Sequence, residues 1–300
     1  MSSARRSPVG RGVNYGPIRA AIERVARTLY VGDWPARLWA RVPGATNISV
    51  EAHTLPLLPR GPALRLGFVS DLHLGPTTPV ELVRAAFAAL SAAAPDVVVL
   101  GGDYVYLDAS PRWLAELEAL VSALPVRTKL ALLGNHDLWT HHDRIEAALE
   151  RAGARVLVND AVHLPAPHAH VAILGLDDPW SARPDARPGL RASAGAEVRI
   201  AACHAPEGLL ALAEGDARLL VCGHTHGGQI APFGRPLWVP GPVSSRHPAG
   251  LYALGARWLW VSRGVGAVDV PVRLFARPDV GLLTLVEEGT AGPIHPLPRP

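Results

Sequence analysis

Two apolar runs of the chain end in residue types that could hold metals. Leu219-Leu220-Val221-Cys222 leads into Gly223-His224-Thr225-His226-Gly227-Gly228-Gln229, and Thr128 to Leu133 leads into Gly134-Asn135-His136-Asp137. Imidazole, carboxamide and carboxylate are donors that divalent cations accept, and the glycines let a His-x-His pair sit on a bent loop serving one ion or two. Three more apolar runs end in the same way: 64–69 in Ser70-Asp71-Leu72-His73-Leu74, 96–100 in Gly101-Gly102-Asp103, and 198–202 in Cys203-His204. Any one of these would pass for a turn cap or a satisfied core histidine, but five in one chain point to a shared site. Asp71, His73, Asp103, Asn135, His136, His204, His224 and His226 supply enough donors for the inner shells of two divalent metals if one carboxylate bridges them. Asp103 is the natural bridge.

The elements that must position these donors follow from their spacing. Asp71 to Asp103 and Asp103 to Asn135 are each 32 residues, about one strand-helix-strand unit, so the three motifs lie beyond the carboxyl ends of consecutive strands. Thr78-Pro79-Val80-Glu81 opens a helix with Thr78 as its cap, and Pro95 closes it. Ser110-Pro111 starts a second helix, and Thr140 caps a third that ends near Gly153. Shorter strands are expected within 155–175, a helix over 206–213, and β-structure closing a second sheet at 251–254, 258–261 and 282–286.

Composition narrows the class. With 49% hydrophobic residues the 300-residue chain can bury a large core. Its charge is uneven: residues 1–41 hold eight arginines against Glu23 and Asp33, a net of +6, which leaves 42–300 at −3. Lys129 is the only lysine. A mildly acidic body argues against a nucleic-acid partner, which needs a broad basic face. Cys203 and Cys222 read as buried free thiols. The arginine-rich start lacks the apolar core of a signal peptide, so the expected location is the cytoplasm. Residues 1–15 are polar and expected to be unstructured. From Pro17 onward Ile18, Ile22, Val25 and Leu29 share one helical face, and Trp34, Leu38 and Trp39 follow. Such an arginine-rich amphipathic helix either lies in an anionic membrane interface or packs on its own domain. The first reading makes the protein peripheral on the inner face of the cell membrane, and predicts that removing 1–41 frees it from vesicles while sparing hydrolysis of a soluble diester.

The order Asp-x-His, Gly-Asp, Gly-Asn-His-Asp, His, Gly-His-x-His over residues 64–230 resembles the calcineurin-like metallophosphoesterase superfamily. The resemblance implies an α/β fold, a four-layer αββα arrangement in which a double β-sandwich is flanked by helices. It also implies a two-metal phosphoester hydrolase. One ion would take Asp71, His73, Asp103 and His226, and the other Asp103, Asn135, His204 and His224. Manganese is the foremost cation, with iron, zinc and magnesium as alternatives. His136 would protonate the leaving oxygen, with Asp137 orienting its ring; a purely structural His136 would cost stability rather than rate. Where the superfamily usually places an aspartate, this chain has Tyr106. Gly227-Gly228-Gln229-Ile230, the segment from Trp260 to Gly266, and Arg273 resemble a bacterial branch containing membrane-associated phosphodiesterases and enzymes that cleave the pyrophosphate of UDP-2,3-diacylglucosamine. Arg263 could then hold a second phosphate, or be salt-bridged within the fold. The expected layout is a basic segment 1–55, a catalytic domain 56–290 and a tail 291–300. The expected partner is a phosphoester small molecule or lipid, with a phosphatase, a nuclease and a non-catalytic scaffold as competing readings.

Overall fold

The structure is a computed structural model that describes residues 7–42 and 46–290; the tail 291–300 lies outside the described residues. In chain order, α1 (Pro17–Leu29) and α2 (Trp34–Trp39) precede β1 (Ser49–Leu58) and β2 (Leu64–Val69). Next come α3 (Val80–Ala92), β3 (Val97–Leu100), α4 (Pro111–Ala123) and β4 (Thr128–Ala131). They are followed by α5 (Asn135–Trp139), α6 (His142–Arg151), β5 (Ala154–Val156), β6 (Asp160–His163) and β7 (Val171–Gly175). The chain continues with α7 (Ala186–Ala192), β8 (Val198–Ala202), β9 (Leu219–Cys222), β10 (Gly250–Leu254), β11 (Arg257–Val261) and β12 (Asp279–Glu287).

Two six-stranded sheets result, ordered β1-β12-β2-β3-β4-β5 and β10-β11-β9-β8-β7-β6. β2 to β5 are mutually parallel, as are β7, β8, β9 and β11. Strands buried on both faces read as continuous apolar runs, as Val97-Val98-Val99-Leu100 does. The sheets face each other across Leu66, Phe68, Val99, Ile173, Val221 and Trp260, with the Phe68 and Trp260 rings edge to face at 5.4 Å. Helices α3, α4 and α6 cover the outer face of the first sheet through residues such as Phe87, Leu117 and Leu149. On the far side of the second sheet, Ala186 of α7 and Leu209 join the core of that face. This is the expected four-layer αββα sandwich.

Several elements differ from their sequence expectation for local reasons. Residues 282–286, expected in the second sheet, lie in β12 of the first, between β1 and β2. Pro56 falls within β1 rather than in a connection, which is tolerated because β1 is an edge strand with β12 as its one neighbour. Helix α3 starts one residue late, capped at Pro79, because the Thr78 hydroxyl accepts from Ala267 N instead. Residues 206–211 form a 3-10 segment.

Residues 1–6 lie outside the described residues, and from Ser7 the N-terminal segment, expected to be unstructured, wraps the molecule. Ser7 Oγ donates to Trp139 O, Gly12 N donates to Leu138 O, and Arg11 forms a bidentate pair with Asp177 at 2.7 and 2.8 Å. Helix α1 docks by its polar side. Arg19 pairs with Glu23 and with Asp269, and Glu23 and Ala26 are buried. Its apolar stripe faces outward, with Ile18 77% and Leu29 58% exposed. Among the described residues no helix is long and apolar enough to cross a membrane.

Candidate metal centre

The donors converge because paired backbones carry the strand ends past the sheet. After β2 and β3, Asp71 N donates to Gly102 O, His73 N to Asp103 O and Leu74 N to Tyr104 O, so the parallel pairing continues into the loops. In these loops and the one after β9, Asp71, His73, Asp103, His224 and His226 all take positive φ, between 45° and 69°. Non-glycine residues adopt that conformation at a cost and mainly where surroundings impose it, as at functional sites. Gly134 is required by close approach, since a Cβ there would lie 2.2 Å from Asp103 Oδ1.

Among the described residues three donor groups form, each with ligand atoms within 4.8 Å of one another: Asp71, His73 and His226; His73, Asp103 and His136; Asp103, His204 and His224. His73 Nε2 lies 3.1 Å from His226 Nε2, and His224 Nδ1 lies 3.3 Å from His204 Nε2. The Gly101 carbonyl can only accept, so at 2.8 Å it fixes the proton on His204 Nδ1 and leaves Nε2 facing Asp103 at 3.3 Å. Asn135 Oδ1, buried, has no hydrogen-bond partner among the described residues. Burial holds His224 and His226 down at about 3 and His73 below its usual value, so these rings present neutral nitrogens, the form that binds a cation. Burial alone would raise Asp103, but His204, His136 and His73 outweigh it and keep the carboxylate ionised. An orphaned carboxamide oxygen, ring nitrogens crowded together and two buried carboxylates fit two divalent cations. Asp71, His73, Asp103 and His226 would hold one, and Asp103, Asn135, His204 and His224 the other. Bound there, the cations would supply Lewis-acid activation of water and neutralise phosphoryl charge.

His136 stands beside this centre, its ring centroid 4.8 Å from that of His73, and it lines the cavity above. Burial, then Arg19, holds it well below its usual value, so the resting ring is neutral and would have to take up a proton before protonating a leaving oxygen. Asp137 does not orient that ring. Neighbouring helical residues do not face each other, and its carboxylate accepts instead from Asp103 N, Tyr104 N and Gly134 N at 2.7 to 2.9 Å. Burial and the Asp103 charge push it up to about 8 against those donors. Asp137 thus ties the second and third motifs together. Arg263 is committed to Glu51 and Asp279 and donates to Arg277 O, and it is not among the cavity-lining residues. Tyr106 donates to Asp269 at 2.9 Å, which in turn holds Arg19.

Above the donors lies a cavity of about 460 Å³. Asp103, Asn135, His136, His224 and His226, with Arg19, Gln229 and Asp269, are among its polar lining, and Trp139, Trp180, Ile230, Leu237 and Trp238 form apolar walls. Trp180 stacks on His224 with centroids 5.0 Å apart. Arg19, Trp180 and Trp238 belong to this site without any motif to announce them. Arg19 reads as part of an amphipathic helix and the tryptophans as loop residues. Gln229 and Arg273, conspicuous in sequence, brace the surrounding loops: Gln229 bonds Val268 N and O and Val270 O, and Arg273 donates to the carbonyls of His226, Arg263, Gly264 and Gly266.

The family model described as calcineurin-like phosphoesterase matches residues 64–228. The chain belongs to this family. Phosphodiesterase YaeI of Escherichia coli K12 is 33% identical over 225 residues, covering 73% of this chain and 81% of that protein. The uncharacterized metallophosphoesterase YkuE of Bacillus subtilis 168 is 27% identical over 248 residues, covering 79% and 85%. A transmembrane protein with a metallophosphoesterase domain from Bos taurus is 28% identical over 267 residues, covering 82% of this chain and 58% of its own length. This phosphoesterase is therefore a metal-dependent hydrolase of phosphoric esters, and its candidate ligand groups all lie within the matched span.

Proposed function

We propose that this phosphoesterase hydrolyses a phosphodiester or pyrophosphate bond in a lipid or nucleotide-lipid substrate, with UDP-2,3-diacylglucosamine as the type. The observation that carries the reading is the composition of the cavity: a cation-binding floor beneath walls of tryptophan, isoleucine and leucine. A small soluble phosphomonoester has no use for such walls, whereas a substrate with an acyl-bearing group gains by burying against them. The name of the Escherichia coli relative supports diester chemistry. In this reading the seven donors hold two manganese ions, with iron, zinc or magnesium as alternatives. His136 donates to the leaving oxygen and Asp137 secures the loop that carries His136. Residues 56–290 act as the catalytic domain, and 1–55 attach the enzyme to the inner face of the cell membrane.

A metal-reconstituted panel of an aryl phosphodiester, an aryl phosphomonoester and UDP-2,3-diacylglucosamine tests it. The expected result is metal-dependent turnover of both diester-class substrates, with the highest kcat/KM on the nucleotide-lipid. Turnover of the monoester alone would reject the diesterase reading, and a soluble diester matching the nucleotide-lipid would reject the lipid substrate.

A further inference from the structure

We infer that the face around the cavity mouth seats on an anionic lipid bilayer, and that two loops outside the N-terminal segment, tipped by Phe233 and Phe275, enter the interface beside α1. The inference rests on the lipid-substrate reading above. Phe233 is fully exposed and Phe275 78% exposed. Both have positive φ, 55° and 63°, a conformation that bulky residues seldom take. Neither ring packs in the core, and both are open to a surface outside the chain beside Trp39 and Val42. The two loops are joined to each other, since Ile230 bridges to Leu274 and Phe275 and Ala231 N donates to Leu274 O at 2.9 Å. They also join α1's end, where the Tyr30 hydroxyl donates to Asp269 O. The same loops supply Ile230 and Val270 to the cavity wall, so the apolar tips border the mouth.

Charge selects the occupant. Residues 17–42 and 229–277 contain eleven arginines and three acids, Glu23, Asp33 and Asp269. Each of the three acids is in an ion pair. Arg24, Arg37, Arg41, Arg235 and Arg277 are exposed and form no ion pair among the described residues. Free cations beside aromatic tips, with no free carboxylate, match anionic headgroups over an acyl layer. A purely apolar partner surface would leave those arginines unanswered.

The test uses the full chain with vesicles of phosphatidylcholine containing phosphatidylserine, and with phosphatidylcholine alone. The expected result is co-sedimentation with the anionic vesicles that weakens at high salt. Phe233→Ser and Phe275→Ser should each weaken partitioning by about 10-fold or more, as for losing one buried aromatic side chain. Both variants should keep the melting temperature and the turnover of a soluble aryl diester. Partitioning of both variants equal to the unsubstituted chain overturns the inference. So does a chain that ignores anionic vesicles, and so does a solution dimer that Phe233→Ser dissolves, because the patch would then be a face for a second copy. Turnover of a soluble aryl diester equal to that of the nucleotide-lipid by the metal-loaded chain would instead reject the lipid-substrate reading while leaving vesicle binding untouched, so the two failures are distinguishable.

Discussion

Among the described residues Asp103 is the one carboxylate placed in two of the donor groups, with His73 and His136 on one side and His204 and His224 on the other. Asp103→Ala should therefore remove both cations, and elemental analysis of the purified variant should find well under half the metal of the unsubstituted protein. Retention of two metals per chain would show that Asp103 does not bridge. His136 is a different case, because its ring both approaches His73 and lines the cavity. His136→Ala should preserve metal content and lower turnover by about 10²–10⁴-fold, the range for losing a general acid. Esters with strongly acidic leaving groups should lose least, since they depart without a proton. A uniform loss across leaving groups, or loss of metal, would reassign the ring as a ligand.

At the scale of elements, the N-terminal segment is the part whose role changed most on folding. Its helix turns Arg19 and Glu23 inward and its apolar stripe outward, and Arg19 lines the cavity beside Trp139, whose ring lies 5.2 Å from the guanidinium carbon. The strand of residues before it holds the end of α5 through Ser7 and Gly12. Removing 1–41 should therefore lower turnover of a soluble aryl diester by about 10-fold or more as His136's support loosens, contrary to the sparing that its sequence suggests. Steady-state kinetics on the truncated and full chains decides this, with metal content as the control. Undiminished kcat would return the segment to the role of a detachable anchor.

For the whole molecule, stability rests on the apolar layer between the sheets, where Trp260 is fully buried against Phe68. Gly281 permits this contact, since a Cβ there would lie 2.3 Å from the indole. Trp260→Ala should cost about 3–5 kcal/mol in chemical denaturation, offset in part because the indole N–H has no partner among the described residues. A loss below about 1 kcal/mol would mean that the inter-sheet layer collapses onto the cavity. Because β9 and β11 run directly into the His224 and Arg263 loops, such a variant should also bind metal less tightly.

The donors were legible in the chain because each ends a buried strand, and a buried strand is an apolar run that any reader of the residues can see. The 32-residue spacing of the first three motifs then followed from the length of a strand-helix-strand unit. Nothing comparable marks Arg19, Trp180 or Trp238, which enter the cavity from segments far apart in sequence and without periodicity. The apolar stripe of α1 was equally plain in the residues, yet periodicity states only that one face is apolar, not which way it turns. That direction is set by ion pairs and hydrogen bonds across the fold, Arg19 to Asp269 250 residues away and Tyr106 to the same carboxylate. Asp137 shows the same division at the smallest scale. Its place after His136 suggested a partner for that ring, but helical geometry sends the two side chains apart; its own helix start supplies the Gly134 N–H, and only the folded loops brought the Asp103 and Tyr104 N–H groups to its carboxylate.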